Sequence, residues 1–409
     1  MVVEKTFTKY LANFAEPETQ SLSSFPQALV FEHVVILPAY KESAQFCHRF
    51  DRLTTGNAGQ LLIVVINQPD TDNNTEPQQR LFAQLHASAE LIWQCDNLSL
   101  LKLVNAGYVL VVERFIQPIP YKQGVGLARK IAADLACYLI AHHGIQSPWI
   151  CSTDADAHLP ANYFSSLPTD SQNISALVFD FYHQRTDTKA NDKTGIATDL
   201  YEQSMRYYVG GLNYAGSRYG YFTIGSILAI SANAYVKARG FPKRAAGEDF
   251  YLLNKIAKLG EIKNVQDVQI KIDARVSDRV PFGTGPAVQK IIDLQQASRD
   301  YCYYQPQVFI ELKQVLDLFK TSAGNLQQLL SGIEKLSVLS KQSLTDIGFT
   351  KFVNILQKQR SSDAQTARQL IVWFDAFKTL KFIHALRDNG LTDIPLQQAL
   401  DNPYFASNR

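Results

Sequence analysis

Trp149-Ile150-Cys151-Ser152-Thr153-Asp154-Ala155-Asp156-Ala157-His158-Leu159-Pro160 decides how this chain is read. An apolar run ends in two carboxylates one residue apart, and the Leu-Pro that follows suits the start of a helix. Side chains two apart on a strand point the same way. Asp154 and Asp156 are therefore expected to aim at one point just beyond a strand end. Two hard oxygen donors so placed suit a Mg²⁺ or Mn²⁺ ion that carries phosphate oxygens. Asp-x-Asp is a common tripeptide, and what singles this one out is the buried-type strand before it and the segments on either side.

Working back from it, Val34-Val35-Ile36-Leu37 meets Pro38-Ala39-Tyr40-Lys41-Glu42, and Leu61 to Ile66 ends at Asn67 before a loop containing Asp70 and Asp72. Helical stretches follow each, over 44–53 and up to about Ala89. Strand, helix, strand, helix is the order of a parallel sheet with covered faces, which binds ligands at the carboxyl ends of its strands. A third strand spans 107–113. Next comes Lys122-Gln123-Gly124-Val125-Gly126-Leu127-Ala128-Arg129, opening a long helix to about His143. Prolines rather than a strand precede these glycines, so a dinucleotide fingerprint fits poorly. Two readings stand: a helix start whose positive end, with Lys122 and Arg129, receives phosphate, or glycine punctuation with solvated cations. Residues 1–30 read as an irregular arm with one short helix.

Working forward, 161–167 reads as a short helix and 175–182 as a strand. Residues 183–222 break the rhythm, polar first and then dense in tyrosine, including Tyr208 and Tyr214. Such rings serve sugar stacking or ordinary core packing. Gly225 to Ser231 resumes the apolar pattern, 232–238 is helical, and Gly240-Phe241-Pro242 precedes Gly247-Glu248-Asp249-Phe250. Glu248 and Asp249 open an amphipathic helix, where acids complement the helix dipole whether or not they do chemistry. Asp273 to Gly285 carries Arg275, Asp278, Arg279, Gly283 and Gly285; it reads either as a lid that closes on phosphate or as a charged surface turn.

Composition bounds the class. The 409 residues are 46% apolar and 19% charged with a net charge of +2, which suits a globular protein rather than a disordered or nucleic-acid-coating one. Five scattered cysteines suit reduced core thiols and a cytoplasmic setting. No signal-peptide core opens the sequence, and no apolar run nears the roughly 20 residues of a membrane helix.

Assembled in order, these segments resemble a family 2 glycosyltransferase of the GT-A fold. Ile36 to Glu42, Gly126 to Arg129, Thr153 to Asp156, and Gly240-Phe241-Pro242 with Gly247 to Phe250 carry the likeness, over roughly residues 30 to 290. The residue pattern reads as an α/β chain with an arm over 1–30 and a helical C-terminal domain over 287–409, and between them the resemblance implies a GT-A domain with a mixed sheet flanked by helices over 31–286. The resemblance also implies transfer of a sugar from a nucleotide-diphospho-sugar donor to a hydroxyl acceptor, with Mg²⁺ or Mn²⁺ and inversion. Pro38, Ala39, Tyr40, Glu42, Asn67, Arg129, Asp154, Arg275 and Arg279 would bind donor. Asp156 would be the main metal ligand with Asp154 beside it, Asp249 the general base, and Glu248, Tyr208 and Tyr214 would face the acceptor.

The chain departs from the family in two places. Asn67 stands where an aspartate usually contacts the base, leaving Asp70 or Asp72 as substitutes. No histidine lies between His183 and His384 to complete a metal site, which leaves Asp278, water or donor oxygens. From about Ala287, Leu326, Leu329, Leu330 and Ile333 form one helical stripe, and Leu370, Phe374, Phe377 and Leu380 another. These helices could cover the acceptor, form a homodimer or touch a membrane surface; ordinary packing is the default, and no nucleic-acid motif appears. The competing classes are a sugar-phosphate nucleotidyltransferase, which needs a Gly- and Lys-rich loop where Pro38 to Glu42 stands, and a non-catalytic sugar-nucleotide sensor or assembly subunit.

Overall fold

The computed structural model describes residues 4–53, 59–105, 107–185, 192–275, 283–359 and 361–405. The chain divides into two compact units, Met1–Ala190 with Thr223–Pro286, and Asn191–Phe222 with Ala287–Arg409. The sequence reading placed 191–222 with the sheet; these residues pack instead with the helices that follow 286.

In the first unit, α1 (Lys5–Asn13) precedes β1 (Val34–Ala39), α2 (Gln45–Asp51), β2 (Leu61–Pro69) and α3 (Glu76–Ala87). Then come β3 (Glu90–Cys95), β4 (Leu98–Lys102), β5 (Tyr108–Ile119), α4 (Gly124–Ala141), β6 (Trp149–Ser152), β7 (Ala157–His158) and β8 (Ile174–Gln184). After α5 (Lys193–Tyr214), which belongs to the second unit, the first resumes with β9 (Leu228–Ser231), α6 (Ala232–Lys237), α7 (Glu248–Ile256) and β10 (Glu261–Asp273). The strands form one mixed sheet in the order β3-β4-β5-β2-β1-β6-β9-β8-β10-β7. Its centre is parallel, β5, β2, β1 and β6, with Val34 opposite both Leu61 and Ile150. Those strands are β-branched and apolar along their length because both faces are covered. Val34, Ile36, Ile63, Val65, Val111 and Ile150 are wholly buried, each stabilising the fold by about 1.5–3 kcal/mol relative to exposure.

Parallel order sets the carboxyl ends of β1, β2 and β6 along one edge, at Ala39, Pro69 and Ser152. β3 with β4 forms a hairpin at the sheet margin, and β10 pairs with β8 in parallel and β7 in antiparallel register. Neither was assigned from the sequence, although Val268, Ile270 and Ile272 alternate as a half-buried strand should. The expected helix over 161–167 is a single 3₁₀ turn at Phe164–Ser166.

Helix α4 forms on the stripe Leu127, Ala128, Ile131, Leu135 and Leu139, all buried. Its glycines are there for close packing. A Cβ on Gly124, which sits at φ +35, would lie 2.8 Å from Ala245 Cα, and one on Gly126 would overlap the Pro242 carbonyl. The Gly126 amide donates to Arg244 O at 2.9 Å, and Lys122 is exposed. That amide is therefore closed by protein rather than offered to phosphate.

In the second unit, α5 packs with α9 (Gln307–Thr321) in a core that includes Leu212, Phe309, Leu312, Phe382 and Leu386, and with α8 (Thr284–Gln296) in a smaller one of Ala197, Val288, Ile291 and Ile292. α5 is 22 residues long and is capped by Asp192, which accepts from Gly195 N at 2.8 Å. Gly211 lets the helix approach Phe309, whose ring would be 2.6 Å from any Cβ there. Among the described residues, no helix is long and apolar enough to cross a membrane.

Candidate active site

Three groups of polar side chains gather at the carboxyl edge of the parallel strands. The first follows β1 and β2. Tyr40 Oη donates to the Asp72 carboxylate, and Lys41, in the left-handed region at φ 54, brings Nζ to 2.8 Å from Asp72 Oδ2. Hydrogen bonds from Lys41 and Tyr40 hold the Asp72 carboxyl down at about 2. Asp70 Oδ1 accepts from Tyr121 N at 2.8 Å. The two aspartates named as substitutes for a base contact therefore brace loops. Asn67 is 6% exposed, and its Oδ1 has no hydrogen-bond partner among the described residues. A buried acceptor without a donor costs about 1–3 kcal/mol, and this one lies near the carboxyl end of β2. Pro38 and Ala39 are the last residues of β1.

The second group is built on Arg129, one turn into α4 and 3% exposed. Its Nε donates to Glu248 Oε1 at 2.7 Å, Nη1 to Ser152 Oγ at 2.8 Å, and Nη2 to Asp154 Oδ1 at 2.6 Å. Weaker bonds run from Nη1 to the carbonyls of Thr153 and Gly225. Burial opposes its charge, but Asp154 and Glu248 more than offset that and raise its pKa above the ordinary value. An arginine so fully engaged positions other residues, and the nucleotide-holding role assigned to it from sequence gives way to that one. Glu248, expected toward the acceptor, is 4% exposed and serves as its counter-ion.

Asp249 follows Glu248 in the first turn of α7, with Gly247 supplying a left-handed N-cap at φ 71. Its Oδ1 accepts from Phe250 N at 2.6 Å. Burial first, and then the charge of Glu248, push its carboxyl up to about 7, against the pull of Arg129; Asp154 adds to the rise. A helix-dipole carboxylate would move the other way. Asp249 therefore lies in the same electrostatic cluster as Asp154, with a proton affinity suited to general base work near neutral pH.

Asp156 belongs to a third group. β6 ends at Ser152, and 154–157 form a turn closed by Ala157 N donating to Asp154 O at 3.1 Å. The strand alternation assumed for Asp154 and Asp156 does not extend to them, and each engages a different arginine. Asp156 Oδ2 is 2.7 Å from Arg275 Nε, while Arg275 Nη2 and Nη1 reach Glu42 Oε1 and Oε2 at 2.8 and 3.2 Å. Two carboxylates thus converge on one cationic group, the donor chemistry that Mg²⁺ or Mn²⁺ takes. No cluster of three His, Cys, Asp or Glu side chains is present among the described residues. A site of two carboxylates completed by diphosphate oxygens and water fits a small hard cation, which keeps several waters in such sites.

Arg279, Asp278 and most of the lid expected over 275–285 lie outside the described residues, 276–282 being among those not described. Tyr208 and Tyr214 belong to the second unit. Tyr208 meets Tyr304 at a tilt and Phe309 edge-on, with ring centroids 6.1 Å apart in each pair, and Tyr214 meets Tyr404 and Phe405 at a tilt, at 5.6 Å each. Of the two roles open to these rings, packing is the one the structure displays.

Sequence reasoning missed Ser152 and Gly225. A Cβ on Gly225 would overlap Arg129 Nη2 and stand 2.6 Å from Cζ. Only the glycine before a short apolar strand hinted at this. Gly225→Ala is expected to push the guanidinium off Asp154 and Glu248 and, as overpacking of a filled site, to destabilise the fold by about 1–3 kcal/mol. Urea denaturation of wild type and variant checks it, and an unchanged midpoint would show that the site makes room for the methyl without loss.

No protein-family profile and no curated protein matches the chain. Among solved structures it is similar to S. aureus TarS residues 1–349 in complex with UDP-GlcNAc, at 10% identity and a TM-score of 0.41, over 83% of this chain and 90% of that one. A mycobacterial protein matches at 12% identity and a TM-score of 0.31, over 70% of this chain and 81% of that one. Likeness at this level is a loose agreement in chain path and says nothing of which nucleotide or sugar this chain takes.

Proposed function

We propose that the sheet unit is a GT-A glycosyltransferase akin to family 2, transferring a sugar from a nucleotide-diphospho-sugar to a hydroxyl acceptor with inversion. The observation that carries this reading is Asp249. It opens α7 beside Glu248, whose partner Arg129 also holds the Asp154 that opens the turn beyond β6, and burial with these charges raises its carboxyl. In the forward step the acceptor hydroxyl gives its proton to Asp249 as its oxygen bonds to the anomeric carbon. The bond from that carbon to the diphosphate oxygen breaks on the opposite face, and the electron pair leaves with the nucleoside diphosphate. Arg129 pairs with Asp154 and Glu248 and fixes the start of α7. Asn67, with its unsatisfied Oδ1, and Pro38, Ala39 and Tyr40 would receive the nucleoside. Asp156, with Glu42 beside it on the same arginine, would hold Mg²⁺ or Mn²⁺. That ion would supply Lewis-acid neutralisation of the leaving diphosphate.

A thermal-shift panel of uridine-, guanosine-, thymidine- and adenosine-diphospho-sugars tests the proposal, each with and without Mn²⁺. One nucleotide class should raise the melting temperature, more so with Mn²⁺, and Asp156→Asn should remove the Mn²⁺-dependent part. No shift with any donor at millimolar concentration would refute it.

A further inference from the structure

We infer that Arg275 is an internal stand-in for the divalent cation: it holds the position between Glu42 and Asp156 and yields it when metal and diphosphate bind, its guanidinium passing from carboxylate to phosphate. This rests on the glycosyltransferase reading and goes beyond it, since it makes metal and diphosphate binding interdependent through one side chain.

Three observations support it. The guanidinium uses all three nitrogens on two carboxylates, 2.7 Å to Asp156 and 2.8 and 3.2 Å to Glu42. A hard divalent cation takes carboxylate oxygens of this kind as ligands. The second is leverage. At the end of β10, Asp273 N donates to Asp156 O at 3.0 Å and Ala274 N to Gln184 O at 2.9 Å. The Asp273 carboxylate also meets His158 Nε2 at 2.9 Å. The backbone beside Arg275 is thus tied to the same turn that carries Asp156, and only the side chain has to travel. The third is chemical. A planar guanidinium pairs bidentately with phosphate as readily as with carboxylate, so a diphosphate arriving beside Asp156 gives Arg275 a new partner when it releases the old ones. Metal without diphosphate would strand the guanidinium.

The consequence is that metal alone binds weakly to the wild-type chain, because the competent state, with Arg275 displaced, is a minor one. Titration of Mn²⁺ alone, followed by loss of the free-ion electron paramagnetic resonance signal, tests this in four full-length proteins: wild type, Arg275→Gln, Arg275→Lys and Arg275→Gln with Asp156→Asn. Arg275→Gln is expected to bind Mn²⁺ at least about tenfold more tightly than wild type. Arg275→Lys, which keeps the charge, is expected to remain as weak as wild type, and the double variant to lose the gain. Equal or weaker Mn²⁺ affinity in Arg275→Gln, including no binding by either protein, would overturn the inference. The donor panel on wild-type protein needs no change at Arg275, so donor binding with equal Mn²⁺ affinities would leave the proposed function standing and remove this inference alone.

Discussion

Asp249→Asn is expected to lower the turnover of sugar transfer by at least about 10²-fold while leaving donor affinity nearly unchanged. The substitution keeps the shape of the side chain and its bond from Phe250 N, and removes only the ability to accept the acceptor's proton. Wild-type kcat/KM should fall about tenfold per pH unit below about 7, because the base must be ionised and its carboxyl is held at about 7. The same shift makes a stability prediction of opposite sense. A carboxyl whose folded pKa lies above its unfolded value of 3.8 binds its proton more tightly in the native state. It therefore costs nothing below about pH 4, and destabilises progressively as pH rises to about 7, where the cost levels off. Asn cannot ionise. The variant should be more stable than wild type at pH 8, by about 1–4 kcal/mol, with the difference vanishing by pH 4. Urea titrations at the two pH values check this. Near-normal transfer, or an Asn variant that is less stable at pH 8, would return Asp249 to a helix-dipole role.

Replacing Asp134 by Ala should cost about 3–5 kcal/mol, the range for breaking a buried ion pair by removing one partner. Asp134 is fully buried on α4, on the side away from Arg129's partners. Lys130 Nζ lies 2.7 Å from its Oδ2 and Glu16 N donates to the same oxygen at 2.8 Å, while Tyr10 and Tyr235 hydroxyls donate to Oδ1 at 2.6 and 2.8 Å. Four donors would lose their acceptor, and the Lys130 charge would be left buried. Because Tyr10 and Glu16 belong to the N-terminal segment, α1 should detach at the same time. Limited proteolysis near Phe14 should become fast in Asp134→Ala and stay slow in wild type. A loss under 1 kcal/mol by urea denaturation would show that the cluster is replaceable by water.

What the sequence made legible follows from what one-dimensional pattern encodes. Continuous β-branched runs marked β1, β2, β5 and β6, because a strand covered on both faces has no polar positions to confuse it. The same pattern placed Asn67, Thr153 and Asp249 near the correct element ends. The register of Asp154 and Asp156 was not legible, because the strand stops at Ser152 and a turn with no Gly or Pro follows. α5 escaped because its glycines answer a tertiary need, the approach to Phe309, rather than a local one. Arg129's role was hidden for the same reason: one side chain gathers Ser152, Asp154, Gly225 and Glu248 from segments up to 119 residues away. The N-terminal segment, read as an irregular arm, is fastened by a tyrosine and a backbone amide whose partner lies more than 100 residues on.

The most direct measurement of the central claim is the identity of the products formed from whichever donor stabilises the protein, followed by ³¹P NMR with wild type and Asp249→Asn. Sugar transfer, with water as the acceptor of last resort, releases nucleoside diphosphate and leaves both phosphates on the nucleoside. The account predicts that species with wild type and its formation at least about 10²-fold more slowly with Asp249→Asn. A donor left intact, a sugar 1-phosphate appearing beside a nucleoside monophosphate, or a nucleoside triphosphate formed when pyrophosphate is added would contradict it.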